Sequence, residues 1–243
     1  MMRKLGILGG VSWNSTALYY EQINKGVAAR LGGLHSAPLA IESVDFAPVA
    51  AMQQAGDWDG VTGLAVEAAI RLKKSGCDGL LIASNTMHKT AGAVKAATKL
   101  PLIDIGAITA ERLIADGRER IALLGTNYTM TEGFARDAYL ARGLALVELS
   151  PAWRGEVHRI IYEELAAGRV VRESQRKLRT LITELSKQRA QAVVLGCTEL
   201  VMAVDVRANV LPVYDTTAIH AAAAVAWMLD DVGEATEGKR AAA

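Results

Sequence analysis

Cys197 is the residue whose type and position best suit it to chemistry. It follows an apolar run, residues 192–195, that predicts a buried strand, and it precedes a segment, residues 198–204, that predicts a helix. A thiol at a helix N-terminus faces free backbone N–H groups and the positive end of the helix dipole, and both lower its pKa from about 8.5. We therefore predict a thiolate base or nucleophile at Cys197. A small buried core residue is the alternative interpretation.

Ser84, Asn85 and Thr86 follow another predicted strand, residues 79–83, in the same way. Their side chains could cap the following helix, and the backbone N–H groups of its first turn could bind a carboxylate. A plain N-cap is the simpler interpretation of this segment when it is considered alone. His88, one turn into the helix, is a candidate general base, although most histidines of the sequence are expected to be structural or exposed.

Two further polar turns follow predicted strands. They are Gly9-Gly10-Val11-Ser12 and Thr126-Asn127-Tyr128-Thr129. The glycines at positions 6, 9 and 10 lack the G-x-G-x-x-G spacing, so a dinucleotide site is only weakly indicated and a backbone nest for a carboxylate fits better. None of the four histidines is spaced with a cysteine or an acidic residue as metal ligands are, so we predict no metal site. Cys77 is expected to serve packing.

Short apolar runs alternate with helical stretches along the chain. Strands are predicted at residues 5–8, 39–45, 79–83, 102–105, 121–124, 145–149, 192–195 and 210–213. Helices are predicted at residues 17–30, 60–75, 87–99, 107–116, 131–142, 157–167, 172–189, 198–204 and 218–229. This alternation predicts an α/β fold with parallel sheets flanked by helices. Such sheets bind ligands at the carboxyl ends of their strands, where the polar turns lie.

A weak internal repeat relates the two halves of the chain. Residues 6–15 (GILGGVSWNS) resemble residues 121–131 (IALLGTNYTMT), and residues 80–88 (LLIASNTMH) correspond in position to residues 193–202 (VVLGCTELVM). We therefore expect two pseudo-symmetric, Rossmann-like lobes, the first from residues 1–105 and 210–243 and the second from residues 106–209. Facing lobes would place Ser84 and Cys197 on opposite sides of one cleft, the predicted active site.

The composition limits the possible partners. The 243-residue sequence has 27 basic and 26 acidic residues and is 51% hydrophobic. A net charge of +1 provides no field for nucleic acid or anionic lipid, so neither is an expected partner. Two cysteines suggest no disulfide framework, and the N-terminal residues lack the features of a signal peptide. We expect a cytoplasmic protein that acts on a small molecule.

At these motifs the sequence resembles the aspartate/glutamate racemase family over nearly its whole length. The matching segments are Gly9-Gly10-Val11-Ser12-Trp13-Asn14-Ser15-Thr16 with Tyr19-Tyr20, Gly32-Gly33-Leu34-His35-Ser36, Ser43-Val44-Asp45-Phe46, Asn85-Thr86-Met87-His88 and Gly196-Cys197-Thr198-Glu199. The last segment is the most diagnostic. The branch with broad specificity, or with activity on L-aspartate and L-glutamate, is the most similar.

The resemblance implies an amino-acid racemase that needs no cofactor, pyridoxal phosphate in particular, and that is usually a homodimer. It implies two acid/base groups on opposite faces of the substrate α-carbon, which by position are Ser84 and Cys197. The residues expected to bind the amino acid are Val11, Ser12, Gln53, Asn85, Thr86, Thr126, Tyr128, Thr198 and Glu199. Aspartate and glutamate are the expected substrates.

Two positions depart from the family pattern. Most members have Cys where this chain has Ser84, and a hydroxyl is a far weaker acid than a thiol, so we predict an asymmetric enzyme in which Cys197 abstracts the proton efficiently from one enantiomer only. A lysine that some members use for the substrate's side-chain carboxylate aligns with Ala166. Arg30, Arg169 and Lys89 are the candidate replacements.

Other functions remain open from the sequence. Within the same superfamily they are a hydantoin racemase, a maleate isomerase and a malonate decarboxylase, the last because a single-thiol site occurs among decarboxylases. Outside enzymology, a catalytically impaired amino-acid-binding homologue would keep the pocket without the second thiol. A nucleotide-binding domain is the least favoured, because the glycine spacing gives little reason for it.

Overall fold

The computed structural model describes residues 2–240, which form two compact units. The first unit contains the chain up to Ala83, Thr90–Asp104 and the chain from His220 onward. The second unit contains Ser84–Lys89 and Ile105–Ile219. Both the short segment at Ser84 and residues 210–219 therefore fall in the second unit, whereas the predicted boundaries had assigned them to the first lobe.

The first unit is built on a four-stranded parallel sheet with the order β2-β1-β3-β4. Its strands are β1 (Leu5–Gly9), β2 (Leu39–Ser43), β3 (Gly79–Ile82) and β4 (Leu102–Ile103). Leu5 of β1 is opposite Leu39 of β2 on one side and Gly79 of β3 on the other. Every residue of β1 and β3 is buried, as expected for central strands covered on both faces.

The second unit repeats this arrangement, with the strand order β6-β5-β7-β8. Its strands are β5 (Arg120–Gly125), β6 (Ala145–Leu146), β7 (Ala192–Gly196) and β8 (Val213–Asp215), all parallel. In both sheets the first strand lies between the second and the third, and the fourth lies at the edge. This shared order confirms the predicted α/β class and the internal repeat.

The helices connect these strands. They are α1 (Trp13–Leu31), α2 (Phe46–Ala55), α3 (Trp58–Lys74), α4 (Ala91–Thr98), α5 (Ile105–Ala115), α6 (Asn127–Thr131), α7 (Gly133–Leu140), α8 (Pro151–Arg159), α9 (Arg172–Lys187) and α10 (Thr216–Arg240). Two short 3-10 helices, Thr86–Thr90 and Thr198–Met202, follow β3 and β7, and a π-helical segment, Ile160–Leu165, continues α8. The two 3-10 helices occupy equivalent places in the repeat.

The core of the second unit covers both faces of its sheet. Alternate residues of β5 and β7 point to opposite faces, as the pleat requires. Leu124 and Leu195 join one buried cluster with α9 and the π-helical segment, while Leu123 and Val194 join another with α5 and α7. The near-continuous apolar runs that predicted these strands therefore reflect burial on both faces.

The sequence analysis did not predict α2 or α6 and placed the ends of some other elements wrongly. Residues 46–55 form α2, whose N-cap Asp45 accepts a hydrogen bond from the backbone N–H of Ala47. Pro48 lies in its first turn, where a missing N–H costs no intrahelical bond, so this proline does not prevent the helix. The last strand begins at Val213 instead of residue 210. Among the described residues, no helix is long and apolar enough to cross a membrane.

Candidate active site

Three strands of the second sheet end in polar residues at the same edge. β5 is followed by Thr126, β7 by Cys197 and β8 by Thr216. Because β7 lies between β5 and β8, Cys197 occupies the middle of this edge. Neighbouring strands are about 4.8 Å apart, so the three chain ends span roughly 10 Å, which is the size of a small-molecule site.

The segment that follows β3 is bound to this edge by two hydrogen bonds. The Asn85 side-chain amide donates to the hydroxyl oxygen of Thr216 at 3.1 Å, and the hydroxyl oxygens of Thr86 and Thr126 lie 3.0 Å apart. Thr216 in turn donates to the carbonyl oxygen of Leu195 in β7 at 2.8 Å. The segment is thus attached on both sides of the β7 end.

These contacts accompany the assignment of Ser84 to the second unit, and the placement of Ser84 and Cys197 on opposite sides of one cleft stays a prediction. Ser84 is part of the second unit, as Cys197 is. It is buried, and its hydroxyl oxygen accepts a hydrogen bond from the backbone N–H of Met87 at 3.4 Å, so it caps the 3-10 helix. Ser84 therefore follows the carboxyl end of β3 and also caps the 3-10 helix that comes next.

His88 holds the same segment in place. Its Nε2 accepts a hydrogen bond from the backbone N–H of Ile105 at 3.2 Å, and its Nδ1 lies 2.8 Å from the carbonyl oxygen of Ser84. An acceptor at Nε2 assigns the proton of the neutral ring to Nδ1, which then donates to that carbonyl. Both ring nitrogens are engaged by backbone atoms, so this histidine is structural and not the candidate general base.

Cys197 has an extended backbone and precedes a five-residue 3-10 helix instead of the α-helix that the sequence predicted. Its thiol donates to Oε2 of Glu199 at 3.0 Å, and the Thr198 hydroxyl donates to the same oxygen at 2.7 Å. Glu199 was expected to bind substrate. Its carboxylate is directed at the thiol, and its contact with a substrate stays a prediction.

The prediction of a lowered thiol pKa was wrong. Burial raises the pKa of Cys197 well above its usual value, and the negative charge of Glu199 and the hydrogen bond to it act in the same direction. The backbone N–H groups of Glu199 and Leu200 oppose this effect without reversing it. One turn of 3-10 helix provides too few aligned peptide dipoles to offset the burial. Cys197 therefore rests as a thiol.

Sequence analysis missed an aromatic residue next to this thiol. Tyr162 lies on the π-helical segment, which packs against the 3-10 helix that follows Cys197. Burial raises the pKa of Tyr162, and charge interactions with Tyr128, Cys197 and Glu199 raise it further, so the phenol stays protonated and acts as a hydrogen-bond donor or acceptor. Segments of π-helix often occur at functional sites, but their sequence pattern is no different from that of an α-helix.

His158 joins the two tyrosines of this region. Its ring centroid lies 4.6 Å from that of Tyr162 and 6.3 Å from that of Tyr128. Its Nδ1 accepts a hydrogen bond from the backbone N–H of Asn127 at 3.1 Å, at the start of α6. Burial lowers the pKa of His158, so the ring is neutral near pH 7 and provides an uncharged aromatic wall.

The remaining predicted binding residues lie in the first unit. Val11 and Ser12 follow β1 and are buried, and the Ser12 hydroxyl lies 3.4 Å from that of Ser15. The backbone N–H of Gly10 donates to the hydroxyl of Thr16 at 2.8 Å, which closes this turn. Gln53 is buried on α2. The polar side chains of Ser12 and Gln53 and their burial agree with a polar site, but the substrate contacts of all three residues stay a prediction.

The candidate cations for a side-chain carboxylate are engaged or exposed. Lys89 forms an ion pair with Glu132. Arg169 is exposed and donates to the carbonyl oxygen of Glu163. Arg30 is an exposed residue of the first unit. Where residues are described, no group of three or more His, Cys, Asp or Glu side chains is placed to hold a metal ion.

Comparison with known proteins identifies the family. The profile of the Asp/Glu/hydantoin racemase family matches residues 8–224. The chain belongs to this family. A Yersinia pestis protein assigned to the Asp/Glu racemases is 42% identical, with a TM-score of 0.88 over 94% of this chain and 100% of that one. An aspartate racemase homologue from Pyrococcus horikoshii is 29% identical, with a TM-score of 0.76 over 90% of this chain and 96% of that one.

A curated relative extends the comparison to another specificity. A broad-specificity amino-acid racemase of Bacillus subtilis is 22% identical over 173 residues, which is 71% of this chain and 74% of the relative. Racemases are isomerases, so membership of the racemase family confirms the predicted enzyme class. It also agrees with the parallel sheets and the internal repeat described above.

Proposed function

We propose that this protein racemises a free amino acid without a cofactor, and that Cys197 and Ser84 carry the two proton transfers. The observation that carries the proposal is the attachment of the Ser84 segment across the end of β7. Asn85 is bound to the β8 side and Thr86 to the β5 side, so the segment that begins at Ser84 crosses the edge at which Cys197 ends the strand between them. A two-base racemisation requires two proton-bearing side chains on opposite faces of the substrate α-carbon, and an amino acid held between Ser84 and Cys197 would meet this requirement.

The reaction is a pair of proton transfers at the substrate α-carbon. The Cys197 thiolate removes the α-proton from one face, so that the Cα–H bond breaks and an S–H bond forms. The Ser84 hydroxyl then delivers a proton to the opposite face and its oxygen regains one from water. Hydroxyl and amide donors at the strand ends would stabilise the carbanion through the substrate carboxylate. The second unit supplies Asn85, Thr86, Thr126, Tyr128 and Thr198, and the family resemblance adds Val11, Ser12 and Gln53 to the expected binding residues.

The difference between the two side chains sets the expected asymmetry. A thiol with a raised pKa still ionises far more readily than an alcohol. Proton abstraction by Cys197 should therefore be faster than abstraction by Ser84, so one enantiomer should exchange its α-proton with solvent faster than the other. The two enantiomers of an amino acid have equal free energy, so kcat/KM for inversion must be equal in the two directions and the asymmetry concerns α-proton exchange.

Isotope exchange tests this proposal directly. Purified protein is incubated in deuterium oxide with L- and D-aspartate and with L- and D-glutamate, and loss of the α-proton is followed by NMR. Exchange that disappears in Cys197→Ser and that is unequal for the two enantiomers is the expected result. A Ser84→Ala variant should keep exchange from the enantiomer that faces Cys197 while losing inversion.

Aspartate and glutamate are the first substrates to test, because the family resemblance favours them. A neutral and a basic amino acid complete the panel, since the B. subtilis relative is a broad-specificity racemase. No exchange with any member would reject the racemase proposal in favour of an amino-acid-binding protein or another reaction of the superfamily. Exchange that persists in Cys197→Ser would reject the assigned residues.

A homodimer and a cytoplasmic location are further parts of this proposal. The dimer is expected from the family resemblance, and light scattering on the purified chain measures it. The cytoplasmic location is expected from the cysteine content, since two cysteines without a pairing framework are typical of reducing compartments. Fractionation of cells that produce the protein tests this expectation.

A further inference from the structure

Glu199 and Cys197 form a hydrogen-bonded pair whose geometry defines the proton's position. Oε2 of Glu199 accepts from the Cys197 thiol at 3.0 Å and from the Thr198 hydroxyl at 2.7 Å. An oxygen that accepts from two donors carries no proton of its own in this arrangement. The resting pair is therefore a thiol next to a carboxylate, and the thiol cannot remove a substrate proton until it loses its own.

The same geometry also suits the pair after the proton has moved, with a Cys197 thiolate next to a protonated Glu199. The backbone N–H groups of Glu199 and Leu200 are directed at the sulfur and favour the thiolate. Tyr162, on the π-helical segment, is a further titratable group that interacts with both members of this pair, and it also interacts with Tyr128. Burial keeps the Tyr162 phenol protonated, so it can donate a hydrogen bond. The sulfur thus has a proton acceptor on one side and anion-stabilising donors on the other.

We propose that Glu199 is the proton acceptor that converts Cys197 from thiol to thiolate during turnover. The proton moves from Sγ of Cys197 to Oε2 of Glu199, the thiolate takes the α-proton from the substrate, and Glu199 releases its proton to solvent before the next cycle. In the reverse direction the thiol donates its proton to the carbanion, and Glu199 takes a proton from solvent and passes it to the thiolate. This inference rests on the proposed function and assigns Glu199 to activation of the thiol instead of substrate binding.

Glu199→Gln separates this role from a structural one, because the thiolate should form more easily while exchange of the substrate α-proton becomes slower. Thiolate formation is followed by its ultraviolet absorbance across a pH titration, taken as a difference from Cys197→Ser so that Cys77 cancels. Removing the negative charge should lower the titration midpoint of Cys197 by at least about one pH unit. Exchange of the substrate α-proton should nevertheless fall by at least about tenfold, because the acceptor is missing.

Two further variants serve as controls. Thr198→Val removes the second donor from the carboxylate, which makes Glu199 a stronger acceptor, so the midpoint of Cys197 should rise instead of falling. Glu173→Gln removes an exposed carboxylate on α9 and should change neither readout. Thr198→Val also keeps the test decisive if Glu199→Gln does not fold, since an unchanged or lowered midpoint in that variant would count against the pair.

The outcomes distinguish this inference from the proposed function. An unchanged or raised midpoint in Glu199→Gln overturns the pair whatever the activity. A lowered midpoint with undiminished exchange overturns the acceptor role, since the thiol would then react without Glu199. If the unmodified protein exchanges no amino acid, the proposed function fails, and the titration alone decides whether the carboxylate controls the thiol.

Discussion

The hydroxyl oxygens of Thr86 and Thr126 lie 3.0 Å apart although the two residues are 40 positions apart in the sequence. Both side chains are buried. Thr126 also forms the N-cap of α6, since its hydroxyl accepts from the backbone N–H of Thr129. The contact therefore joins the segment that contains Ser84 to the end of β5, beside the strand that ends at Cys197.

Replacing either threonine with valine should weaken this attachment, because the hydroxyl is lost while the shape of the side chain is kept. Loss of one buried hydrogen bond costs about 1 kcal/mol, so Thr86→Val and Thr126→Val should each lower the free energy of unfolding by roughly that amount. Because each removes the same contact, the double variant should cost less than the sum by about 0.5 kcal/mol or more. Urea unfolding of the four proteins measures this coupling.

The rates of α-proton exchange and of inversion measure the functional effect of the same threonine substitutions. Displacement of Ser84 from the strand edge should slow inversion more than it slows α-proton exchange at Cys197. The exposed Thr180 on α9 offers a matched control, and Thr180→Val should leave both rates unchanged. Fully additive losses of stability would show that the two hydroxyls do not depend on each other.

His88 should prove necessary for stability and not for proton transfer. His88→Leu leaves the backbone N–H of Ile105 and the carbonyl oxygen of Ser84 without their partner. Two buried backbone groups left unsatisfied should cost about 2 kcal/mol or more of unfolding free energy. His88→Gln keeps an acceptor and a donor and should recover part of the loss. A large fall in exchange with unchanged stability would instead return His88 to the list of general bases.

The strand ends and the repeat could be predicted from the sequence because both depend on local pattern. Buried central strands need continuous apolar runs, and a polar residue at the end of such a run is visible without any structure. Cys197, Ser84 and Thr126 were all found in this way. The membership of Ser84 in the second unit could not be, because it depends on contacts such as Asn85 to Thr216, which are 131 positions apart.

The charge state of Cys197 was also beyond sequence reasoning. The rule that a helix N-terminus lowers a thiol pKa assumes an α-helix and some solvent, whereas this thiol is buried before a single 3-10 turn. The Glu199 rotamer, which decides whether the carboxylate faces the thiol or a ligand, has no sequence signal. Tyr162 and His158 were missed for a related reason, since two aromatic residues on a helix more often serve a core than a site.

Gly125 permits the close approach of the two central strands near the site. A Cβ atom at this position would lie 2.8 Å from the carbonyl oxygen of Gly196, the residue before Cys197. Backbone cannot rotate away as a side chain can, so Gly125→Ala should displace the end of β7. We expect a loss of about 1–3 kcal/mol in unfolding free energy and a fall in exchange.

A second glycine gives the matched comparison. Gly155 lies within α8 and a Cβ atom there would meet nothing within 4 Å. Gly155→Ala should stabilise the protein by up to about 1 kcal/mol, because alanine favours helix over glycine. Its exchange rate should equal that of the unmodified protein. Equal rates for both variants would mean that the position of the β7 end does not matter to the reaction.

Protonation of Glu156 should make the protein less stable in acid, because this carboxylate belongs to an ion-pair network near Tyr162. Its carboxylate accepts from Arg159 at 3.0 Å and from Lys177 at 2.9 Å, so it joins α8 to α9. The hydrogen bond from Arg159, followed by that from Lys177, lowers the pKa of Glu156 to about 2. Arg159 also binds Glu164 on the π-helical segment, so the network holds Tyr162 in its place.

The sign of the effect follows from this lowered pKa. The folded protein holds the proton less tightly than the unfolded chain, so the stabilisation is complete above the ordinary carboxyl pKa of about 4.5 and is lost as the pH falls towards about 2. Solvent screening limits it to roughly 1 kcal/mol. Urea unfolding at a series of pH values should show a shallower acid slope for Glu156→Gln than for the unmodified protein. Parallel slopes would mean that the network contributes nothing to acid sensitivity, and that Tyr162 is held by apolar packing alone.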